Sequence, residues 1–142
     1  MANETDAIID RKLPFSLSAE QALLGSILID PNALNEVADL IQATDFYITE
    51  HTQIYLALRE LFLTNNEIDV VTLVDTLVRQ GVYEKSGGQD YIRTLADAVP
   101  SAMNVKDYAR IVKDKSILRQ LIGACEEVTD VAYSEQDDVA HI

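Results

Sequence analysis

Pro100–Tyr133 reads PSAMNVKDYARIVKDKSILRQLIGACEEVTDVAY, and no proline follows Pro100 within it. Proline is the residue a helix interior tolerates least, so one helix of about thirty residues is open to this stretch. Asn104 is its expected N-cap, a carboxamide able to accept from the first free N–H groups. At about 100° per residue, Tyr108, Ile111, Val112, Leu118, Leu121, Ile122, Cys125, Val128 and Ala132 fill an arc wider than half the circle. A helix on the surface of one domain needs a stripe of only about 100°. The excess predicts a second packing partner.

The charges of the same stretch point that way too. Lys106, Arg110, Lys113, Lys115 and Arg119 lie in its first half, against Asp107 and Asp114. No Lys or Arg follows Arg119, whereas Glu126, Glu127, Asp130, Glu135, Asp137 and Asp138 do. This order opposes the helix dipole, at about 0.3–1 kcal/mol per exposed charge. Antiparallel packing on a second copy would set basic half against acidic half; a plainly solvated face is the other reading, since surface ion pairs contribute little.

Outside segment 106–119, which carries +3, the rest of the 142 residues carries −16 of the net −13. Phosphate backbones are bound chiefly by Lys and Arg, so direct nucleic-acid binding is not expected, and neither is membrane binding. With 48% hydrophobic residues the chain can bury one core, and five Gly and three Pro are too few for a turn-rich β-sandwich. Cys125, the lone cysteine, excludes an internal disulfide and a cysteine zinc cluster, and on the apolar arc it reads as a small buried hydrophobe. No signal peptide opens the chain and no run of 18 apolar residues follows, so the cytoplasm is the expected location.

Working outward from the long helix, Met1–Lys12 lacks periodicity and reads as a flexible tail. Leu13–Leu17 is an extended lead-in, and Ser18 with Gln21 fits a capping box for a helix to about Ile29. Gly25 on its apolar side predicts close approach of another helix. Asp30-Pro31 opens a helix over 31–41 carrying Leu34, Val37, Ala38 and Ile41. Further helices are expected from 49–51 to Phe62, from Val70 (capped by Asp69, stopped by Gly81) to Gln80, and from Gln89 to Ala98 after Gly87-Gly88. Ser134 caps a last segment, Glu135–Ile142, that stops without a helix-ending signal, as a fragment cut inside the second arm of a hairpin would. The organisation expected is a tail over 1–12, a helical head over 13–100 and a hairpin over 101–142 that continues further.

Chemistry is sparse. There is no GxxxxGK loop ending in Ser or Thr, and Gly87-Gly88 is followed by Gln89-Asp90, which reads as a turn. His51, beside Glu50 and downstream of Asp45, is the one candidate for an acid–base or metal role, and its plain reading is a helix-end histidine. No catalytic residue, metal or cofactor is expected in this chain.

Three segments together carry a resemblance: Pro14–Asp30 (PFSLSAEQALLGSILID), Asp45–Leu73 (DFYITEHTQIYLALRELFLTNNEIDVVTL) and Gly87–Leu121 (GGQDYIRTLADAVPSAMNVKDYARIVKDKSILRQL). In order and spacing the chain resembles, over about residues 13–142, the N-terminal domain of bacterial replicative DNA helicases of the DnaB family. The resemblance implies an all-α fold, a six-helix globular head followed by a helical hairpin whose second arm is truncated here. It implies a collar that supports assembly as dimers within a hexamer and docks the C-terminal helicase-binding domain of primase, with a helicase loader as a further candidate partner. ATP and Mg would serve a motor domain, absent here, that unwinds DNA 5′ to 3′. Tyr91, Ile122 and Val128 match the primase-contacting positions, although Ile122 and Val128 read first as core or dimer contacts. Self-association through the hairpin is expected at Ile111, Leu118, Leu121 and Cys125. Ser18 departs from the acidic residue often found there in the family. The competing readings are a free-standing acidic adaptor that binds a replication protein, and a small enzyme using Glu50 and His51.

Overall fold

The computed structural model describes residues 12–135 and 139–141. Six α-helices, with short 3₁₀ turns between some of them, make up the fold, and there is no strand among the described residues. They are α1 (Leu17–Ile29), α2 (Asn32–Val37), α3 (Thr49–Leu63), α4 (Val70–Arg79), α5 (Gly88–Ala96) and α6 (Val105–Ser134). No described helix is long and apolar enough to cross a membrane. The expected tail lies outside the described residues except for Lys12, as do residues 136–138 and Ile142 of the expected second arm. Of that arm, a 3₁₀ turn over Val139–His141 is described.

The core forms around α1, which is buried on nearly every side from Ala19 to Leu28. A helix apolar all round needs partners all round, and α2, α3, α5 and the first half of α6 supply them. Gly25 is where α5 comes closest: a Cβ there would lie 2.2 Å from the carbonyl oxygen of Leu95. The close approach expected at this glycine is therefore present.

Several boundaries differ from expectation. Helix α1 starts at Leu17, capped by Ser16, whose Oγ accepts from the Ala19 N–H at 3.1 Å. Gln21 makes no capping box with Ser18, because its amide reaches across to the Tyr91 hydroxyl. Helix α2 ends at Val37, short of Ile41; Ile41 stays buried, its carbonyl accepting from the Tyr55 hydroxyl at 2.7 Å. Asn104 does precede α6, but at φ −100° and ψ 19° its side chain caps nothing. Helix α4 follows expectation, with Asp69 accepting from Thr72 N–H and Thr72 Oγ1 accepting from Asp69 N–H. Replacing Asp69 with Ala should cost about 1 kcal/mol in a urea unfolding experiment; an unchanged midpoint would show that the cap is redundant.

The wide apolar arc of α6 resolves into two opposite faces. Val105, Ala109, Val112 and Ser116 are buried against the head. About half a turn away, by the 100° rule, lie Leu118, Leu121, Ile122, Cys125 and Val128, none of them buried.

Candidate interaction surface

Ser116 is the last buried residue of α6, so residues 117–134 extend about 27 Å beyond it at 1.5 Å per residue. Leu118, Leu121, Cys125, Val128 and Ala132 follow one another at alternating steps of three and four. That is the spacing of an apolar seam able to pack on another helix. Leu121 is 60% and Val128 58% exposed, and Ile122 flanks them. Cys125 is exposed, against the expectation of a buried hydrophobe, because α6 has left the head before reaching it.

The other residues singled out lie elsewhere. Ile111 lines a shallow groove of about 290 Å³ on the head with Ser16, Ser18, Ala19, Ala22, Ala98, Val99 and Tyr108. Tyr91 is on α5, half-buried, with its hydroxyl turned toward α1 and α3. Within one chain, the structure thus divides the seven residues between the arm, a head groove and the α5 edge.

Two buried polar clusters fix where the arm and this edge lie. Asp45, in the 3₁₀ turn Ala43–Asp45, is buried, and its carboxylate accepts from Ser116 Oγ at 2.7 Å, Lys113 Nζ at 3.1 Å and the Gln42 N–H at 2.8 Å. Arg119 donates to the carbonyls of Asp45 at 2.6 Å and Pro14 at 2.9 Å, its guanidinium 5.4 Å from the Tyr47 ring centre. Lys113 and Arg119 are thus spent on the head. Of the basic residues that oppose the helix dipole, these two are held by contacts within the chain, which explains their place without a second copy. Arg110 pairs with Asp107 on the surface at 2.7 Å.

The second cluster joins α1, α3 and α5. Glu20 (1% exposed) accepts from the Tyr47 N–H at 2.9 Å and the Ile48 N–H at 3.3 Å, just ahead of α3. Ile48 has no side chain to cap α3, and the carboxylate from α1 sits at that positive helix end instead. His51 (0% exposed) places Nδ1 2.8 Å from Glu20 Oε1 and Nε2 2.5 Å from the Tyr91 hydroxyl. Burial pushes the Tyr91 phenol up; the hydrogen bond from Gln21 opposes this, and the charges of Glu50 and Glu20 add to it. Burial likewise raises Tyr55, to about 12, with Arg59 lowering and Asp45 raising it. Both hydroxyls therefore keep their protons at neutral pH.

This trio has the residue types of an acid–base relay, yet its polar atoms are taken up by protein groups. The described surface grooves are lined by other residues. No group of three or more His, Cys, Asp or Glu able to hold a metal occurs among the described residues. His51 lies where its plain reading as a helix-end residue puts it, in the first turn of α3, and it is buried there. One sequence signal did mark Glu20: with Leu23, Leu24 and Ile27 it occupies the first position of an i, i+3, i+4, i+7 stripe. Lys113 likewise falls in step with Ala109, Val112 and Ser116.

The sequence profile of the DnaB-like helicase N terminal domain matches residues 12–114. The replicative DNA helicase DnaC of Bacillus subtilis (strain 168) is 37% identical over 135 residues, 95% of this chain and 30% of that protein. The crystal structure of the N-terminal domain of DnaB helicase from Mycobacterium tuberculosis superposes with a TM-score of 0.88 at 36% identity, over 92% of both chains. A structure of a DnaB-like replicative helicase, described with its interactions with primase, gives a TM-score of 0.71 at 26% identity, over 83% of this chain and 28% of that one. The chain spans under a third of the length of the curated relatives it matches.

Proposed function

We propose, from the premise that this chain belongs to the family of DnaB-like helicase N-terminal domains, that it is the collar module of a hexameric replicative helicase. Its task is to bring copies together and to dock primase. The observation that carries this is the exposed apolar seam of α6 beyond Ser116, which has no cover within the described chain. A net charge of −13 suits a module whose partners are proteins. On this reading the head covers about residues 13–100, and the 101–142 segment is the first arm and beginning of the second arm of a hairpin. Leu118, Leu121 and Cys125 pair copies along the arm, and Ile111 extends that contact toward the head groove. Tyr91, Ile122 and Val128 face the C-terminal domain of primase; a loader is a further partner. ATP-driven 5′ to 3′ unwinding in the cytoplasm, with ATP and Mg, belongs to a motor region outside these residues, since this sequence has no phosphate loop to hold nucleotide.

Sedimentation of the chain at micromolar concentration should find a dimer or larger. Leu121→Asp should weaken that association roughly a hundredfold, the equivalent of about 3 kcal/mol, by forcing a charge into the seam. Its unfolding midpoint at concentrations where both chains are monomeric should not move, because Leu121 is 60% exposed within one chain. A wild-type chain that sediments strictly as a monomer would count against pairing along the arm. Docking is tested by titrating labelled primase C-terminal domain into the assembled chain, where saturable binding that Tyr91→Ala abolishes is the expected result.

A further inference from the structure

We infer that His51 is a positioning residue for the docking edge: anchored by Glu20, it locks the Tyr91 hydroxyl and so presents the tyrosine ring to a partner protein in one orientation. The inference rests on the proposal that Tyr91 is a docking residue, and it goes further by naming what holds that residue ready.

With Glu20 ionised and His51 neutral, the donors of this cluster run in one direction. An ionised carboxylate only accepts, so His51 Nδ1 carries the proton facing Glu20 Oε1 at 2.8 Å. In the neutral ring Nε2 is then the acceptor, and the Tyr91 O–H donates to it at 2.5 Å. The Tyr91 oxygen in turn accepts from the Gln21 amide at 3.3 Å. The His51 and Tyr91 rings lie 8° from parallel, with centres 5.8 Å apart. On the other side, Gly87 at φ 91° lies against the ring, so close that a Cβ there would stand 2.9 Å from Tyr91 Cδ2. The tyrosine is thus held at its tip by a fully buried imidazole and along its flank by backbone, while the residue as a whole stays half-buried at the edge. A side chain already fixed in its bound orientation loses less freedom on binding than a mobile one.

The two imidazole nitrogens can be separated by substitution. Asn at position 51 can replace Nδ1 toward Glu20 but cannot reach Tyr91, whereas Gln can reach Tyr91 and gives up the Glu20 contact. Labelled primase C-terminal domain is titrated into each variant of the assembled chain, and each variant is also melted. Tyr91→Phe and His51→Asn should each weaken binding roughly five- to tenfold. The double variant should bind no worse than either, and His51→Gln should bind close to the unsubstituted chain. Melting should rank the other way, with His51→Gln less stable than His51→Asn, because Glu20 is buried and loses a donor. Binding that simply follows stability would mean that His51 is only structural, and the inference falls. It falls as well if Tyr91→Ala abolishes binding while Tyr91→Phe and His51→Asn bind normally; docking at Tyr91 then stands. Normal binding by Tyr91→Ala overturns both. Should the substitutions at position 51 unfold the head, Tyr91→Phe decides alone: full affinity overturns the inference, and reduced affinity at unchanged stability supports it.

Discussion

Gly25→Ala should destabilise the head by about 2–3 kcal/mol in urea unfolding, although alanine is the better helix former by about 1 kcal/mol. The added Cβ would lie 2.2 Å from the Leu95 carbonyl oxygen and 3.3 Å from its carbon. Both are backbone atoms of α5, so no side chain can swing aside, and the two helices must separate along their contact. Separation loosens the packing of Leu23, Leu24, Ile92 and Leu95, all fully buried. Gly123→Ala is the control. It lies on the arm with nothing within 4 Å of the new methyl, so at monomer concentrations it should hold or raise the helix content of α6. Equal stability of Gly25→Ala and the unsubstituted chain would show that the α1–α5 crossing is looser than described.

Asp45→Ala is expected to cost a similar amount, about 2–4 kcal/mol, and to change the direction of the arm as well. The carboxylate is the shared acceptor for Lys113, Ser116 and the Gln42 N–H. Its removal leaves the buried Ser116 hydroxyl and the Gln42 N–H without it, and Lys113, whose side chain is 27% exposed, turns to water for its charge. That partial exposure keeps the expected loss below that of a fully buried broken pair. Asp45→Asn retains an acceptor oxygen and should lose about half as much. Thermal melting measures the stability, and small-angle scattering the arm: a broader distribution of distances at monomer concentration is expected for Asp45→Ala. An unchanged melt and scattering curve would show that apolar contacts at Val105, Ala109 and Val112 orient α6 by themselves.

These two sites differ in how far they could be read in advance. Gly25 was legible because a glycine on the apolar side of a helix invites a close neighbour, although nothing local says which one. Asp45 was not, since an acidic residue in a short turn normally faces water, and its partners lie 68 and 71 positions away. The basic residues of α6 show the same division. Their clustering was visible, whereas their use was not: Lys113 and Arg119 meet the head, and the charge order does not by itself require a second copy. Helix ends follow the expected caps at Asp69 and Gly81 and depart from them at Ser18, where Ser16 is the cap instead, at Ile41 and at Asn104.

From the residues alone it follows that this chain is helical, where its main helices lie, that Pro100 separates the head helices from one long helix, and that the long helix has more apolar surface than one neighbour can cover. These are consequences of periodicity and proline, which act over a few residues. It is the folded packing that splits this surface into a head face ending at Ser116 and an exposed seam beyond it. Only there does Glu20 hold the backbone N–H groups just ahead of a different helix, His51 become buried against it, and Cys125 stand in the open. Each of these depends on groups distant in sequence sharing a desolvated space, where an unpaired polar atom is costly and a paired one is held in place.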